Sequence, residues 1–187
     1  MEIDEPMRTS CALLLVLVPA MAAGCGGAVI EPGHRGLLFN PSQGGLQHEI
    51  LPPGWMRLPC PIWTPASHCP RIDDFDVTYQ TRHERVTPLA ADGLPVELGV
   101  TVTYRPIISE LFQLDTEIGP SYYEDVVAGE LRASVRDAVC KVESRELRRR
   151  TLEPVGDSIE RELRMRLVGR HVEIYSVLVE NMEGACG

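Results

Sequence analysis

ADGLPVELGVTVTYRP, residues 91–106, and VIEPGHRGLLFNPSQGGLQHEILPPGWMRLPCP, residues 29–61, are the stretches whose reading decides the fold. In the first, a turn at Ala91-Asp92-Gly93 leads into Val96, Leu98, Val100, Val102 and Tyr104 at every second position. Glu97, Thr101, Thr103 and Arg105 fall between them. Alternation of this kind, rich in β-branched residues, lays one face of a strand on a core and leaves the other in water. The longer stretch reads as short strands cut by turns. Val29-Ile30 and Gly36–Phe39 flank a turn at Glu31-Pro32-Gly33, and Asn40-Pro41 and Gly44-Gly45 are further turn signals. Pro52-Pro53-Gly54 stops a strand over His48–Leu51. Gly33 and Gly36 read as turn positions that need positive φ, since no phosphate-loop pattern follows them.

Working outward, Trp55–Pro70 carries four prolines, so it is expected to be extended and poor in helix. Phe75–Thr81 alternates, with Phe75, Val77 and Tyr79 on one face, and predicts a strand. A loop over Thr81–Pro88 is expected to join it to the 96–104 strand as an antiparallel neighbour. Beyond residue 108 the period changes. Ser121 and Glu124 have the spacing of a capping box. Tyr123, Val127, Leu131, Val135 and Val139 then form one apolar stripe, opposite Glu130, Arg132, Arg136 and Asp137. A second helix start lies over Ser144–Arg150, and a third opens near Pro154 with Val155, Ile159, Leu163 and Leu167. His171–Val179 is apolar on both faces, which predicts a strand inside the sheet. Strands, then helices, then one strand is the order of an α+β fold, a mainly antiparallel sheet with helices packed on one face.

The net charge of −9, with Lys141 the only lysine, excludes general nucleic-acid binding. That function needs clustered cations to replace counterions. The 187 residues suit one domain plus a targeting segment.

Residues 1–25 are expected to be that segment. Ala12–Val18 is an unbroken apolar run, followed by Pro19 and by small residues ending Ala22-Ala23-Gly24-Cys25. This is the pattern of a secretory signal peptide, with a lipobox-like end that would make Cys25 the lipid-bearing first residue of the mature chain. Ala22 stands where leucine is more usual, and Glu2, Asp4 and Glu5 are out of place before an apolar run. A start at Met7 would remove the second conflict. The rival reading is a retained membrane helix over Cys11–Ile30, which is long enough but is interrupted by Pro19 and has glycines and alanines around Cys25 in its second half. Either gives a domain tethered at its N-terminus, over residues 26–187.

Cys60, Cys69, Cys140 and Cys186 remain as candidate disulfide partners. Proximity favours Cys60 with Cys69, leaving Cys140 with Cys186, while free thiols stay open as an alternative. A metal set of Cys60, His68, Cys69 and His48 lacks any standard zinc spacing. Asp73, Asp74 and Asp76 lack the glycine and terminal glutamate of a calcium loop. The basic run Glu146–Arg150 reads as a solvated helix face. No histidine stands with a serine or cysteine in any known nucleophile setting, so no catalytic residue, cofactor or metal is assigned. Trp55, Ile62 and Trp63, in the Pro-rich stretch that follows the first hairpin, are candidate membrane-interface contacts, with packing under the sheet as the alternative.

In order and spacing, Glu31–Gly36, Leu51–Trp55, Asp92–Val96 with Val100–Arg105, Tyr123–Val142, Ser144–Glu146, Leu152–Leu167 and Val172–Val179 resemble the band 7 family (stomatin, prohibitin, flotillin; the SPFH domain). The resemblance implies a non-enzymatic, membrane-associated scaffold that organises lipid and protein and self-associates. No heptads follow Val179, so assembly through a coiled coil is not expected. With a lipid on Cys25, the domain would sit in the bacterial cell envelope on the periplasmic side. Its partners would be the membrane, further copies of itself and an unidentified membrane protein. The other reading is a secreted, disulfide-stabilised binding module or a regulator of an envelope protease.

Overall fold

A computed structural model describes residues 25–61, 63–149 and 152–181. The N-terminal half is built from short strands: β1 (Cys25–Ile30), β2 (His34–Asn40), β3 (Gly45–Leu51), β4 (Gly54–Pro59), β5 (Arg71–Asp76) and β6 (Gln80–Val86). Then come β7 (Leu98–Pro106), helices α1 (Leu111–Glu117), α2 (Ala128–Val139), α3 (Ser144–Arg149) and α4 (Glu153–Arg166), and β8 (Val172–Asn181). All strand pairings are antiparallel, in a β1–β4 ribbon, a β3-β2-β5 sheet and a β6-β7-β8 sheet. The α+β expectation holds.

β7 is the centre of the molecule, as its alternation requires. Leu98, Val100, Val102 and Tyr104 are buried on the helix side, between β6 and β8. Above them lie Val127, Leu131, Val135 and Val139, every one buried, and then Ile159 and Leu163 of α4. Burying side chains of this size stabilises by roughly 1.5–3 kcal/mol each, so the four-residue stripe carries the docking of α2.

Four local expectations are corrected, and one helix is added. Phe75–Thr81 is not one strand: β5 ends at Asp76 and β6 starts at Gln80, with Val77 buried and Tyr79 exposed. Thr81–Pro88 is not a loop, because most of it is β6. Its sequence QTRHERV has no apolar alternation, since its inward side chains meet helix tyrosines instead of a dry core. Ser121 and Glu124 form no capping box. A single π-helical turn over Tyr123–Val127 opens into α2 with no side-chain cap. α1, which no stripe announces, buries Leu111 and Leu114. Finally, β8 is not interior but an edge, with Tyr175 and Leu178 exposed.

That edge is closed by α4. Arg164 donates from Nε to the Ile174 carbonyl and from Nη2 to the Tyr175 carbonyl, at 3.2 and 2.9 Å. The Val177 N–H donates to Glu160 Oε2 at 3.1 Å. Glu160 and Arg164 also pair with each other at 2.9 Å, one helical turn apart. Two side chains thus take the place of a further strand, which is one way an edge is kept from pairing.

The glycine reading divides. Gly33 has φ +90° and sits in a turn as expected. Gly36 does not; it lies inside β2, where an added Cβ would come 2.6 Å from Ile72 Cγ2 and 2.7 Å from Ile30 Cδ1. It is glycine because β1, which ends in the buried Ile30, packs down onto β2 and β5 there.

Candidate functional site

The N-terminal ribbon holds Cys25 and Trp55 of the residues singled out from sequence, and the loop after it holds Cys60, Trp63 and Cys69. β1 begins at Cys25, whose backbone pairs with Pro59, and Val29 pairs with Trp55. One side of the ribbon is seated on the domain through Ile30. The other carries Trp55, 66% exposed, and Val29, 68% exposed. The indole lies across Gly27, where a Cβ would meet its Nε1 at 2.7 Å, so glycine there gives the ring a flat place to rest. Trp63, 84% exposed, follows in the next loop. Packing under the sheet is therefore not the fate of either tryptophan. Ile62, Cys186 and the leader through Gly24 lie outside the described residues, as does the side chain of Cys25.

The loop holding Trp63 is closed by a Cys60–Cys69 disulfide, with Cα atoms 5.3 Å apart. Cys140 is a free, exposed thiol at the end of α2. His68 Nδ1 lies 3.1 Å from Ser67 Oγ, and His48 stacks on Phe112 at 3.6 Å. The acidic run of β5 is occupied locally. Asp73 accepts from Arg71, Asp74 faces His34 Nδ1 at 2.7 Å, and Asp76 accepts from Thr78. Among the described residues, no group of His, Cys, Asp or Glu is arranged to hold a metal ion. None of the helices there is long and apolar enough to cross a membrane.

Two polar clusters escaped the sequence reading. At the seam of β6, β7 and the π-turn, Tyr104 donates to Gln80 Oε1 and Gln80 Nε2 donates to Tyr122 Oη, both at 3.2 Å. Tyr123 donates to Glu84 Oε1 at 3.1 Å, and Arg132 donates to Glu84 Oε2 at 3.0 Å. Burial pushes the phenols of Tyr122 and Tyr123 well above the ordinary tyrosine value, and for Tyr123 the Glu84 carboxylate adds to it. Protonated phenols of this kind donate hydrogen bonds and offer neither base nor nucleophile at neutral pH. The cluster latches α2 to β6.

The second cluster surrounds His171. At the turn between α4 and β8 this residue takes φ +63°, the only non-glycine among the described residues to do so. Its ring nitrogens face two carboxylates: Nδ1 lies 2.8 Å from Glu110 and Nε2 3.3 Å from Glu117. Its carbonyl accepts from the Ile107 N–H at 2.9 Å. These contacts hold a costly backbone conformation and fasten α1 to the start of β8. An open groove of about 670 Å³ runs beside them, lined by Arg164, Leu167, Val172 and Ile174. Only residue chemistry could have pointed to either cluster, since their members are scattered from Gln80 to His171.

With the geometry in place, the SPFH domain / Band 7 family matches residues 28–183, from the middle of β1 to just past β8. The chain belongs to the band 7 family. The match includes the ribbon, the β7 core strand and the helices that cover it. No curated protein matches the chain. Band 7 membership brings with it an association with membranes and a scaffold role, and it agrees with the residues that suggested the family.

Proposed function

We propose that this band 7 protein is a membrane-anchored, non-enzymatic scaffold of the cell envelope that acts through membrane and protein contacts. Cys25 is its lipid anchor, residues 1–25 its leader and residues 26–187 its working domain, on the periplasmic side. The observation that carries the reading is the exposed ribbon face. Val29, four residues after the anchor, pairs with Trp55 on that face, and the exposed Trp63 follows in the loop after β4, so the tether leaves almost no slack between strand and bilayer. Indole rings are favoured at the membrane–water interface. The ribbon would lie in the headgroup layer and orient the domain. Self-association and an unidentified membrane protein partner complete the scaffold.

Palmitate labelling of the wild type and of Cys25→Ser tests the anchor. Loss of label and release of the variant to the soluble fraction are expected. A variant that stays in the membrane would transfer the anchoring role to the apolar run Ala12–Val18. A wild type found soluble would favour a secreted, disulfide-stabilised binding module or protease regulator, a reading to which the Cys60–Cys69 bridge is equally suited.

A further inference from the structure

The two edges of the β6-β7-β8 sheet differ. β8 is closed by Glu160 and Arg164 of α4. β6 is open: it pairs only with β7, and no hydrogen bond from another element reaches its outer backbone among the described residues. Charged side chains commonly guard such an edge. Guard charges work by repulsion, however, and those of β6 alternate in sign along Gln80-Thr81-Arg82-His83-Glu84-Arg85-Val86.

We propose that β6 is a self-pairing edge, which joins two copies of this chain about a two-fold axis through His83. In that antiparallel register Arg82 of each copy lies opposite Glu84 of the other, on the helix side. Thr81 faces Arg85 of the second copy on the outer side, and the two His83 residues face each other. Sliding the strands by one step either way sets Arg82 against Arg82 or Glu84 against Glu84, which is unfavourable. Charge therefore selects one register. Glu84 already accepts from Tyr123 and Arg132, but a carboxylate has acceptor positions to spare. Between β6 and α2 a groove of about 360 Å³, lined by Arg82, Glu84, Glu124, Ala128 and Arg132, leaves room for the incoming strand's side chains.

Such a contact is isologous and closes on itself. The result is one six-stranded sheet with a capped β8 at each end, so pairing stops at two and does not run on into a fibre. Seven residues a side make a small interface, of the weak class that becomes effective when tethering to one surface raises the local concentration. This inference rests on the scaffold reading for its role in the cell but not for its geometry.

The test is disulfide trapping in the full-length chain with Cys140→Ser and Cys186→Ser, both in membranes and after solubilisation in detergent, with copper–phenanthroline as oxidant. His83→Cys is expected to give a covalent dimer, because directly opposed residues have Cβ atoms about 5 Å apart. Thr81→Cys and Arg85→Cys are each expected to stay monomeric alone, since the two equivalent positions would be about 13 Å apart along the strands. The two proteins mixed should cross-link to each other. On the His83→Cys protein, Thr81→Arg would place arginine opposite Arg85 and should lower trapping about five-fold, whereas Thr81→Glu should raise it. Residue 81 is exposed, so neither change threatens folding, and circular dichroism would verify that. No dimer at position 83 in a folded protein, or equal trapping at all three positions, would overturn the proposal. A failed anchor would instead appear as wild-type chain in the soluble fraction, with the pattern of trapping unchanged.

Discussion

Replacing Gly36 with alanine tests how the membrane-facing ribbon is seated on the domain. The new Cβ would lie 2.6 Å from Ile72 Cγ2 and 2.7 Å from Ile30 Cδ1, both inside contact distance. Ile30 Cδ1 is the far end of a side chain, but that side chain is 2% exposed and has little room to turn. Ile72 Cγ2 branches directly from Cβ and moves only if χ1 leaves its preferred rotamer or the backbone shifts. Overpacking of this kind costs about 1–3 kcal/mol. Against it, alanine restricts the unfolded chain more than glycine does, which returns about 0.4–1 kcal/mol. The net loss is therefore about 0.5–2 kcal/mol, read by urea unfolding followed by circular dichroism. Ile72→Ala removes the stiffer obstacle. In that background the glycine substitution should be neutral or stabilising, giving a coupling of about 1–2 kcal/mol in a double-mutant cycle. An alanine that costs the same in both backgrounds, or nothing in either, would refute the close packing of β1 on β2 and β5.

Other outcomes follow from individual contacts. Ser134 is fully buried and its hydroxyl has no partner among the described residues, so Ser134→Ala should raise stability by about 1 kcal/mol in the same urea assay. Asp92 accepts a 2.6 Å hydrogen bond from the buried Ser144, which holds its carboxyl below the ordinary value of 3.8. Its contribution is complete at pH above that value and fades as pH falls through the lowered one. The stability gap between wild type and Ser144→Ala should therefore close in acid, and a gap independent of pH would contradict this. Cys60 and Cys69 are nine residues apart, a closure worth at most about 2.5 kcal/mol. The hydrogen bonds Thr64–Pro61, His68–Pro65 and Cys69–Ala66 are all internal to the bridged loop, so reduction should lower the urea midpoint without unfolding the domain. Trp55→Ala with Trp63→Ala should weaken the residual flotation that the Cys25→Ser chain shows at high vesicle concentration, while leaving its thermal midpoint within a degree or two. Unchanged flotation would remove the ribbon from the membrane contact.

Local periodicity by itself determined the class of this protein. The alternation from Val96 to Tyr104 made β7, and the stripe at every fourth position from Tyr123 to Val139 made α2, because a half-buried strand and a half-buried helix each write their face into neighbouring residues. The order of turns and strands determined the family. Where burial came from elsewhere, the chain said little. β6 is polar throughout because tyrosines of a later turn complete its inner face. α1 is short and buries only Leu111 and Leu114. Gly36 looked like a turn residue because nothing near it in sequence shows the isoleucines of two other strands closing over it. The apolar outer face of β8 suggested an interior position, yet α4 caps its edge through a pair of charged side chains. The exposure of Val29 and Trp55, the His171 clamp and the contrast between a closed and an open sheet edge were likewise decided only in three dimensions. Each depends on which distant residues meet, and packing sets that, whereas periodicity records only which side of an element is dry.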